Sequence, residues 1–258
     1  MAKAEPLRLT VEVLPGLPEI RPGDDLAAIV AGATRHVQGG VGDGDVLVVA
    51  QKVVSKAEGR LVPLAAVTPS PQAKELAETL DKDARFVQVV LDESSAVLRA
   101  ERGVLIVRTR QGFVCANGGI DQSNVPGDDV ACLLPEDPDA SARRLRTGLA
   151  EQLGTQPAVV ISDSFGRAWR VGQLDIAIGC AGLEPVHDRR GTADAFGREL
   201  SATLDAIADS VASAAALVRD KAGREAVVVV RGLERHVIAG DGPGAAAIVR
   251  ERSEDLFT

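Results

Sequence analysis

The sequence predicts an α+β protein, a chain in which strands and helices are mixed. Runs rich in β-branched residues, such as residues 45–55 and 159–161, are typical of buried strands. Residues 71–82 and 140–153 instead carry apolar residues at helical spacing. Hydrophobic residues make up 45% of the 258 residues, enough for a large core, so we expect one large domain or two small ones.

The other elements follow from the same patterns in chain order. Residues 7–13 alternate apolar and polar side chains, as a half-exposed strand does, and Asp24 is a suitable N-cap for a helix over residues 26–37. Gly154 is expected to end the helix 140–153. We also predict strands at 85–93, 103–109, 113–115 and 226–232, a long helix over 200–221, and a short strand in the C-terminal tail.

Charge and hydropathy exclude several classes of function. The net charge of −8 argues against a general nucleic-acid-binding or membrane-binding surface. No apolar run approaches the length of a membrane span, and the first residues lack the apolar core of a signal peptide. We therefore expect a cytoplasmic protein that meets any anionic ligand through local groups.

The cysteines and histidines show no metal-binding pattern. The cysteines are odd in number, widely spaced and in apolar surroundings, which predicts buried thiols at Cys115, Cys132 and Cys180. The histidines are scattered without the spacing of ligands, so we assign no metal to His36, His187 and His236.

Residues 159–179 are the first candidate functional segment. A predicted apolar strand delivers Asp163 and Ser164 to a turn, after which Arg167 and Arg170 follow. A carboxylate and a hydroxyl can both bind a hard cation such as Mg²⁺ or Mn²⁺, and arginines can bind phosphate oxygens. The alternative is a strand and an Asp-Ser turn with exposed arginines, and these residues alone favour that alternative.

Residues 112–129 are the second candidate segment. A turn at 117–119 is followed by Asp121 and Asn124, which stand three residues apart in a predicted loop. Asp121 is suited to a metal, and Asn124 to a phosphate or to the edge of a base. An Asx turn that satisfies its own backbone explains the pair equally well.

Three other groups have both a functional and a structural interpretation. The Pro/Gly-rich loop 14–25 is either a connector or a loop that grips a nucleotide base. Gln51 and Lys52 interrupt the strand 45–55, and Lys56 beyond it is suited to a phosphate, although a solvated turn lysine is favoured by position. Asp205 and Asp209 lie four apart on the predicted helix, either as a solvated acidic face or with Asp209 near a metal.

Four motifs occur in a fixed order: GLPE at 16–19, KVVSKAEGR at 52–60, GFVCANGGIDQSNV at 112–125 and SDSFGRAWRVGQLDIAIG at 162–179. Together they resemble the coenzyme F-420:L-glutamate ligase family, including the ligase half of the bifunctional actinobacterial enzyme. The resemblance implies a GTP-dependent and metal-dependent enzyme that attaches L-glutamate to a deazaflavin precursor, and then further glutamates through γ-carboxylates. It also implies the F-420 γ-glutamyl ligase-like fold, with a V-shaped protomer and a homodimer.

The resemblance also implies a domain organisation and a set of site residues. We expect one domain over residues 1–258, or two intertwined lobes within it, and no second catalytic domain. Two Mg²⁺ or Mn²⁺ ions are expected on Asp121, Asp163 and Ser164. The resemblance implies that GTP contacts Leu17, Pro18, Glu19, Ile20, Gln51, Lys56 and Asn124. The chain has no P-loop motif, so phosphate binding must use this different device.

An acyl phosphate mechanism follows as a hypothesis. The catalytic residues would be Asp121, Asp163 and Lys56, with Arg167 and Arg170 as a clamp on the acceptor. Five positions depart from the family pattern: Gln51, Val171, Leu174, Arg189 and Ser210. The last four leave the acceptor open. The alternatives are a related amide ligase that uses another carboxylate or amino acid, and a nucleotide-binding module without ligase activity.

Overall fold

The structure is a computed structural model that describes residues 7–127, 129–220, 223–255 and 257. The strands are β1 (Thr10–Val13), β2 (Val46–Ala50), β3 (Leu61–Pro63), β4 (Ser94–Glu101), β5 (Val104–Thr109), β6 (Val114–Ala116), β7 (Val130–Cys132), β8 (Ala158–Arg167), β9 (Arg170–Ala181), β10 (Val186–Asp188), β11 (Leu204–Ala206) and β12 (Val227–Arg231). The α-helices are α1 (Leu26–Ala33), α2 (Gln51–Ala57), α3 (Pro71–Leu80), α4 (Ala84–Asp92), α5 (Pro138–Leu153) and α6 (Ile207–Ala216). Short 3-10 helices lie at Thr34–His36, Leu64–Ala66, Asn117–Gly119, Glu234–His236, Ala245–Ile248 and Arg252–Glu254.

A five-stranded sheet with the order β1-β12-β2-β8-β9 forms the centre of the fold. Strands β2 and β8 are parallel, and the other neighbouring pairs are antiparallel. The three inner strands are buried on both sides, which explains why they are nearly continuous runs of valine and isoleucine. The parallel pair matters for function because both of its strands end at the same edge of the sheet.

The two faces of the sheet contact two different cores. Because successive side chains of a strand point to opposite faces, Val159 and Ile161 pack with α1 and α5, whereas Val160 packs with α6. Helix α6 is rich in alanine on this face, so it approaches the sheet closely. A mixed α+β architecture, as predicted, is confirmed.

A second layer stands beside the main sheet and supports the loop that carries Asp121. Strands β4, β5 and β6 form an antiparallel sheet, and its buried residues pack against α3 and α4 in a separate core. Two-stranded ribbons pair β3 with β7 and β10 with β11. The V-shaped protomer of the resemblance stays a prediction.

Two predicted strands are helical in the structure. Residues 85–92 belong to α4, because Phe86, Val87, Val89 and Val90 are buried at helical spacing and Asp83 caps the first turn. The strand predicted at 45–55 ends at Ala50, and the chain then turns into α2. Both errors arose because β-branched residues were given more weight than their spacing.

Three other boundaries differ from the prediction. Asp163 and Ser164 lie within β8, which continues into a hairpin with β9, so the predicted turn at these residues is wrong. The helix predicted over 200–221 is α6, and Asp205 lies before it in β11, so Asp205 and Asp209 do not share a helix face. The tail contains a 3-10 helix at Ala245–Ile248 where a strand was predicted.

Other local predictions are confirmed. Helix α5 ends at Gly154, whose left-handed backbone (φ 71°) donates its N–H to the carbonyl of Ala150. The cap of α1 is Asp25 rather than Asp24, which instead accepts the N–H of Arg21. All three cysteines are buried free thiols. Within the described part of the chain, every helix is too short or too polar to cross a membrane.

Candidate active site

The candidate site lies where the parallel strands β2 and β8 end. Strand β2 stops at Ala50, opposite Ser162, while β8 continues to Arg167. The edge of β8 from Asp163 onward is therefore not covered by β2. Ligand sites in sheets with parallel strands are commonly found beyond the carboxyl ends of those strands, where neighbouring segments diverge.

A cavity of about 960 Å³ opens at this edge. Cavities of this size hold ligands as large as a nucleotide and part of a second substrate. Every residue that was predicted to bind nucleotide or metal lines it: Leu17, Pro18, Glu19, Ile20, Gln51, Lys56, Asp121, Asn124, Asp163 and Ser164. The fold thus brings together residues from segments that are far apart in the sequence.

The loop after β6 is shaped by left-handed backbone. Asn117, Gly118 and Gly119 all have positive φ values, between 52° and 70°. A side chain at Gly119 would meet Leu134 at 2.9 Å, so only glycine fits there without displacement of its neighbour. Ile120, which is buried, precedes Asp121, and the backbone N–H and C=O of Asp121 pair with Cys132. This pairing fixes the Asp121 carboxylate at the cavity.

The Asp121 carboxylate is held by a lysine that the sequence analysis did not include in the site. Lys52 Nζ donates to Asp121 Oδ2 at 2.7 Å, and Ser123 donates its N–H and its hydroxyl to the same carboxylate. Burial raises the pKa of Asp121, but the Lys52 ammonium and the Ser123 donors outweigh it and lower the pKa to about 2. Asp121 thus forms an Asx turn with Ser123, and its role towards a metal stays a prediction.

The pKa of Asp163 is shifted in the opposite direction to that of Asp121. Burial raises its pKa to about 7, the N–H of Ser164 opposes this rise, and the negative charge of Asp175 adds to it. The charges of Lys52 and Asp121 also influence the pKa of Asp163, which places the two candidate metal-binding carboxylates in one electrostatic environment. A cation beside Asp163 would relieve the cost of charging this carboxyl group.

Ser164 belongs to a buried polar network with Asp175, which faces it across the β8–β9 hairpin. Ser164 Oγ donates to Asp175 Oδ1 at 2.6 Å, and Arg219 Nη1 donates to Asp175 Oδ2 at 3.0 Å. Arg219 also donates to Ser162 Oγ and to the carbonyl of Val48. Because the Ser164 proton is directed to Asp175, its oxygen lone pairs are left for a cation.

Asp175 and Arg219 line the cavity and were missed by the sequence analysis. Asp175 lies within the fourth motif, where an acid at an inward position of a strand was the available signal. Arg219 had no local signal, because its place depends on how α6 packs on the sheet. Lys52 was visible as a charged residue that interrupts the predicted strand 45–55.

Two predicted nucleotide contacts are already engaged in side-chain hydrogen bonds. Lys56 Nζ donates to Glu19 Oε1, which connects α2 to the loop 14–25. Gln51 is buried, and its amide nitrogen donates to Ser55 Oγ and to the carbonyl of Leu133. The side chain of Gln51 therefore supports the wall of the cavity, and its role towards a phosphate stays a prediction.

The predicted arginine clamp is not part of the cavity lining. Arg167 and Arg170 are paired at the tip of the β8–β9 hairpin, next to Trp169, which has a positive φ of 61° and is 82% exposed. Arg167 Nη2 donates to the carbonyl of Val171 at 3.2 Å. A role on the acceptor requires these arginines to bind a substrate part that extends out of the cavity.

The positions that depart from the family pattern and leave the acceptor open, Val171, Leu174, Arg189 and Ser210, lie outside the cavity lining as well. Arg189 pairs with Asp205, and Ser210 Oγ donates to the backbone carbonyl of Ala206. Asp209 accepts the N–H of Ala177 and thereby links α6 to β9. Burial raises the pKa of Asp209. In this structure Asp209 acts as a structural acceptor rather than as part of a solvated face.

Comparison with known proteins identifies the family. The model of the F420-0:Gamma-glutamyl ligase family matches residues 16–232. This chain belongs to that family. The resemblance predicted from the four motifs, and the class of enzyme it implies, an amide-bond-forming ligase, are confirmed.

Similarity to curated members of the family extends over nearly the whole chain. The coenzyme F420:L-glutamate ligase of Methanopyrus kandleri is 44% identical over 251 residues, which cover 96% of this chain and 97% of the relative. The corresponding ligase of Methanothermobacter thermautotrophicus is 42% identical over 243 residues, or 94% and 96% of the two chains. That of Archaeoglobus fulgidus is 43% identical over 253 residues, or 96% and 97%.

Proposed function

We propose that this protein is a GTP-dependent ligase that joins L-glutamate to the coenzyme F420 precursor with the help of divalent cations. The observation that carries the proposal is the convergence of two carboxylates, Asp121 and Asp163, with the residues of the loop 14–25 on one cavity. This arrangement would suit a nucleotide and divalent cations, because the carboxylates would hold the cations and the cations would neutralise charge on the phosphates. The names of the three relatives agree with the reaction.

The residues present fit divalent cations. The Lys52 ammonium occupies a cation position on Asp121, and burial raises the pKa of the Asp163 carboxyl, a group whose charged form a bound cation would stabilise. Carboxylate and hydroxyl oxygens are the ligands that Mg²⁺ and Mn²⁺ prefer. When bound by Asp121, Asp163 and Ser164, such cations would neutralise charge on the phosphates.

The chain's own residues have distinct parts in the proposed reaction. Lys56, held by Glu19, steadies the nucleotide phosphates, and the buried Asn117 amide oxygen, which has no partner among the described residues, offers an acceptor at the cavity wall. The precursor's carboxylate attacks the γ-phosphorus of GTP, which gives an acyl phosphate and GDP. The neutral glutamate amine then attacks the carbonyl carbon, phosphate leaves with the C–O bond electrons, and the nitrogen releases one proton to solvent as the amide forms.

Positioning explains most of the rate that such a site can provide. Holding the carboxylate, the γ-phosphate and the amine in line converts reactions between separate molecules into reactions within one complex. Closure of the cavity around the acyl phosphate would also protect it from hydrolysis. The proposed clamp of Arg167 and Arg170 at the hairpin tip is suited to the part of the acceptor that lies outside the cavity.

The test is mass spectrometry of the purified protein with GTP, Mg²⁺ or Mn²⁺, L-glutamate and the unglutamylated deazaflavin precursor. We expect a product heavier by one or more glutamyl units, with GDP formed in equal amount to the bonds made. Replacement of GTP by ATP and of the precursor by other carboxylates tests the nucleotide and the acceptor. Nucleotide binding without any product would refute ligation to this acceptor.

A matched pair of variants separates the proposed chemistry from folding. Asp163→Asn should lower turnover by at least about two orders of magnitude, because it removes a charged ligand at the transferred phosphate. Asp194→Asn, in an exposed loop outside the cavity lining, should leave turnover unchanged. Near-normal turnover of Asp163→Asn would remove that residue from the mechanism.

We also propose that the protein forms a homodimer. Large apolar side chains are exposed near the hairpin tip, where the rings of Trp169 and Phe257 lie 5.0 Å apart, and Val171 is fully exposed. Exposed apolar groups of this kind are common at protein interfaces. Light scattering on a sizing column should give twice the chain mass of 26.8 kDa, and Val171→Glu should reduce that mass to one chain.

A further inference from the structure

A group of metal-binding side chains lies apart from the cavity. Glu184 and His187 belong to the segment after β9, and His236 ends the 3-10 helix that follows β12. None of these residues lines the candidate active site. The sequence shows no ligand spacing because His187 and His236 are distant along the chain, and only the fold brings them together.

The backbone holds the two segments in a fixed relation. The N–H of Glu184 donates to the carbonyl of His236 at 2.8 Å, and the neighbouring residues Leu183 and Val237 form a β-bridge. His187 lies in β10, opposite Asp205 of β11. The three side chains are therefore positioned by paired backbone and by the adjoining core, so a ligand would not have to order a loose loop.

The distances match those between the ligands of one small cation. Glu184 Oε2 lies 3.1 Å from His187 Nδ1 and 3.6 Å from His236 Nδ1, and the donor atoms of all three residues are within 4.8 Å of one another. Two ligands of a tetrahedral Zn²⁺ ion are separated by about 3.3 Å when each metal–ligand bond is about 2.0–2.1 Å. The two imidazole rings are 5.5 Å apart and nearly perpendicular, so they do not stack.

His236 supplies an independent indication of a ligand. The residue is 5% exposed, and its Nδ1 has no hydrogen-bond partner among the described residues, since Glu184 Oε2 is beyond hydrogen-bond distance. A buried polar nitrogen without a partner is costly and rare in folded proteins. This nitrogen faces the Glu184 carboxylate and His187, which is where a cation would satisfy it.

The protonation of the rings is compatible with a cation. A metal binds a neutral imidazole through the lone pair of one ring nitrogen. Arg235 Nε donates to His236 Nε2, so the neutral ring carries its proton on Nδ1. Cation binding would place the Nδ1 lone pair on the metal and the proton on Nε2, and the exposed Arg235 side chain would turn into solvent.

We infer that Glu184, His187 and His236 form a second cation site, distinct from the candidate active site, which binds a borderline divalent ion such as Zn²⁺. Two imidazoles and one carboxylate are a donor set that suits Zn²⁺ and disfavours Mg²⁺. Three protein ligands leave the fourth position to water. The bound ion would tie the segment after β9 to the segment after β12 and so stabilise this side of the sheet.

The test uses the histidine rings of the 258-residue protein as reporters. The chain contains only three histidines, so a two-bond ¹H–¹⁵N spectrum of the imidazoles resolves them, and His36 serves as an internal control. After treatment with a chelator, one equivalent of Zn²⁺ should shift the Nδ1 signals of His187 and His236 together and leave His36 unchanged. Mg²⁺ should shift none of them.

Variants locate the site and separate it from the proposed catalytic cations. Glu184→Gln and His187→Ala, which alter partly exposed ligands, should weaken Zn²⁺ binding by more than about tenfold, the loss that even an outer partner of a metal ligand typically causes. In Asp163→Asn the three histidine rings should respond to Zn²⁺ as in the unaltered protein, and in His36→Ala the rings of His187 and His236 should do so. Unshifted rings at millimolar Zn²⁺, equal shifts at His36, or full affinity in Glu184→Gln would each overturn the inference.

Discussion

Replacing Asp175 by asparagine should destabilise the protein strongly, although the two side chains have almost the same shape. The carboxylate is buried, and it accepts hydrogen bonds from Ser164 and from the buried Arg219 guanidinium. Removing one partner of a buried ion pair typically costs about 3–5 kcal/mol, because the other charge is left without compensation. Arg219 keeps its bonds to Ser162 and Val48, so we expect the lower limit, about 3 kcal/mol.

Urea unfolding with an unchanged m-value measures this loss. Asp188→Asn is the matched control, because the ion pair of Asp188 with Arg190 is exposed and should contribute little. Adding Arg219→Met to Asp175→Asn removes the uncompensated charge and should restore part of the stability. The reasoning is refuted if Asp175→Asn costs no more than Asp188→Asn, or if the double variant is less stable than Asp175→Asn alone.

The same variant should change the titration of Asp163. The pKa of Asp163 is raised to about 7 by burial, with a contribution from the negative charge of Asp175, so Asp175→Asn should lower it. In the unaltered protein the pKa of Asp163 is higher in the folded state than in the unfolded state. The neutral Asp163 carboxyl group therefore stabilises the folded state fully at pH values below the ordinary aspartate pKa, and this stabilisation is lost as the pH rises towards 7. Carbon NMR of the aspartate carboxyl groups, with a chelator present, measures the shift; an unchanged Asp163 pKa would contradict the assignment.

Three further predictions concern single groups. Lys52→Met should raise the pKa of Asp121 from about 2 towards its ordinary value, which the same NMR titration detects; an unshifted pKa would mean that the Ser123 donors alone account for it. Gly179→Ala should destabilise severely, because the new methyl group would overlap the backbone carbonyl oxygen of Pro138. Gly32→Ala in α1 meets no neighbouring atom and should be neutral or stabilising, so equal melting temperatures of the two variants would refute this. Burial raises the pKa of the Cys115 thiol to about 12, so native protein at pH 8 should react with thiol reagents only as fast as it opens, and a rapid reaction before denaturation would contradict the burial.

Much of the candidate site could be predicted because its residues lie within contiguous motifs. Asp121, Asp163 and the loop 14–25 were named from the chemistry of short segments, and the cavity is lined by both aspartates and by residues 17–20 of the loop. Lys52 and Asp175 lie in the same motifs but were not chosen, since their roles depend on which strand or loop faces them. Arg219 could not have been found, because its partner Asp175 is distant in the chain and is reached only through the packing of α6 on β9.

The errors in secondary structure arose where contacts between distant segments outweighed local preference. In residues 85–93 and 51–57 the local preference of β-branched residues favours a strand, but burial against neighbouring elements favours a helix and is the larger free energy. The hairpin of β8 and β9 extends through Asp163 because the facing strand supplies backbone partners that a single segment cannot reveal. Such pairings are properties of two segments at once.

The sequence by itself determined the family, the mixture of strands and helices, and the C-terminal cap of α5. It also supplied the residue types of the candidate active site, Asp121, Asp163 and Ser164. These features depend on local spacing and on motifs that are long enough to be specific. Only the tertiary structure decided that β2 ends before β8, which opens the cavity, and that Glu184 and His187 meet His236. Contacts between distant segments depend on the register and packing of the whole sheet, because a hydrogen bond or an ion pair forms only when both partners have been brought to the same place.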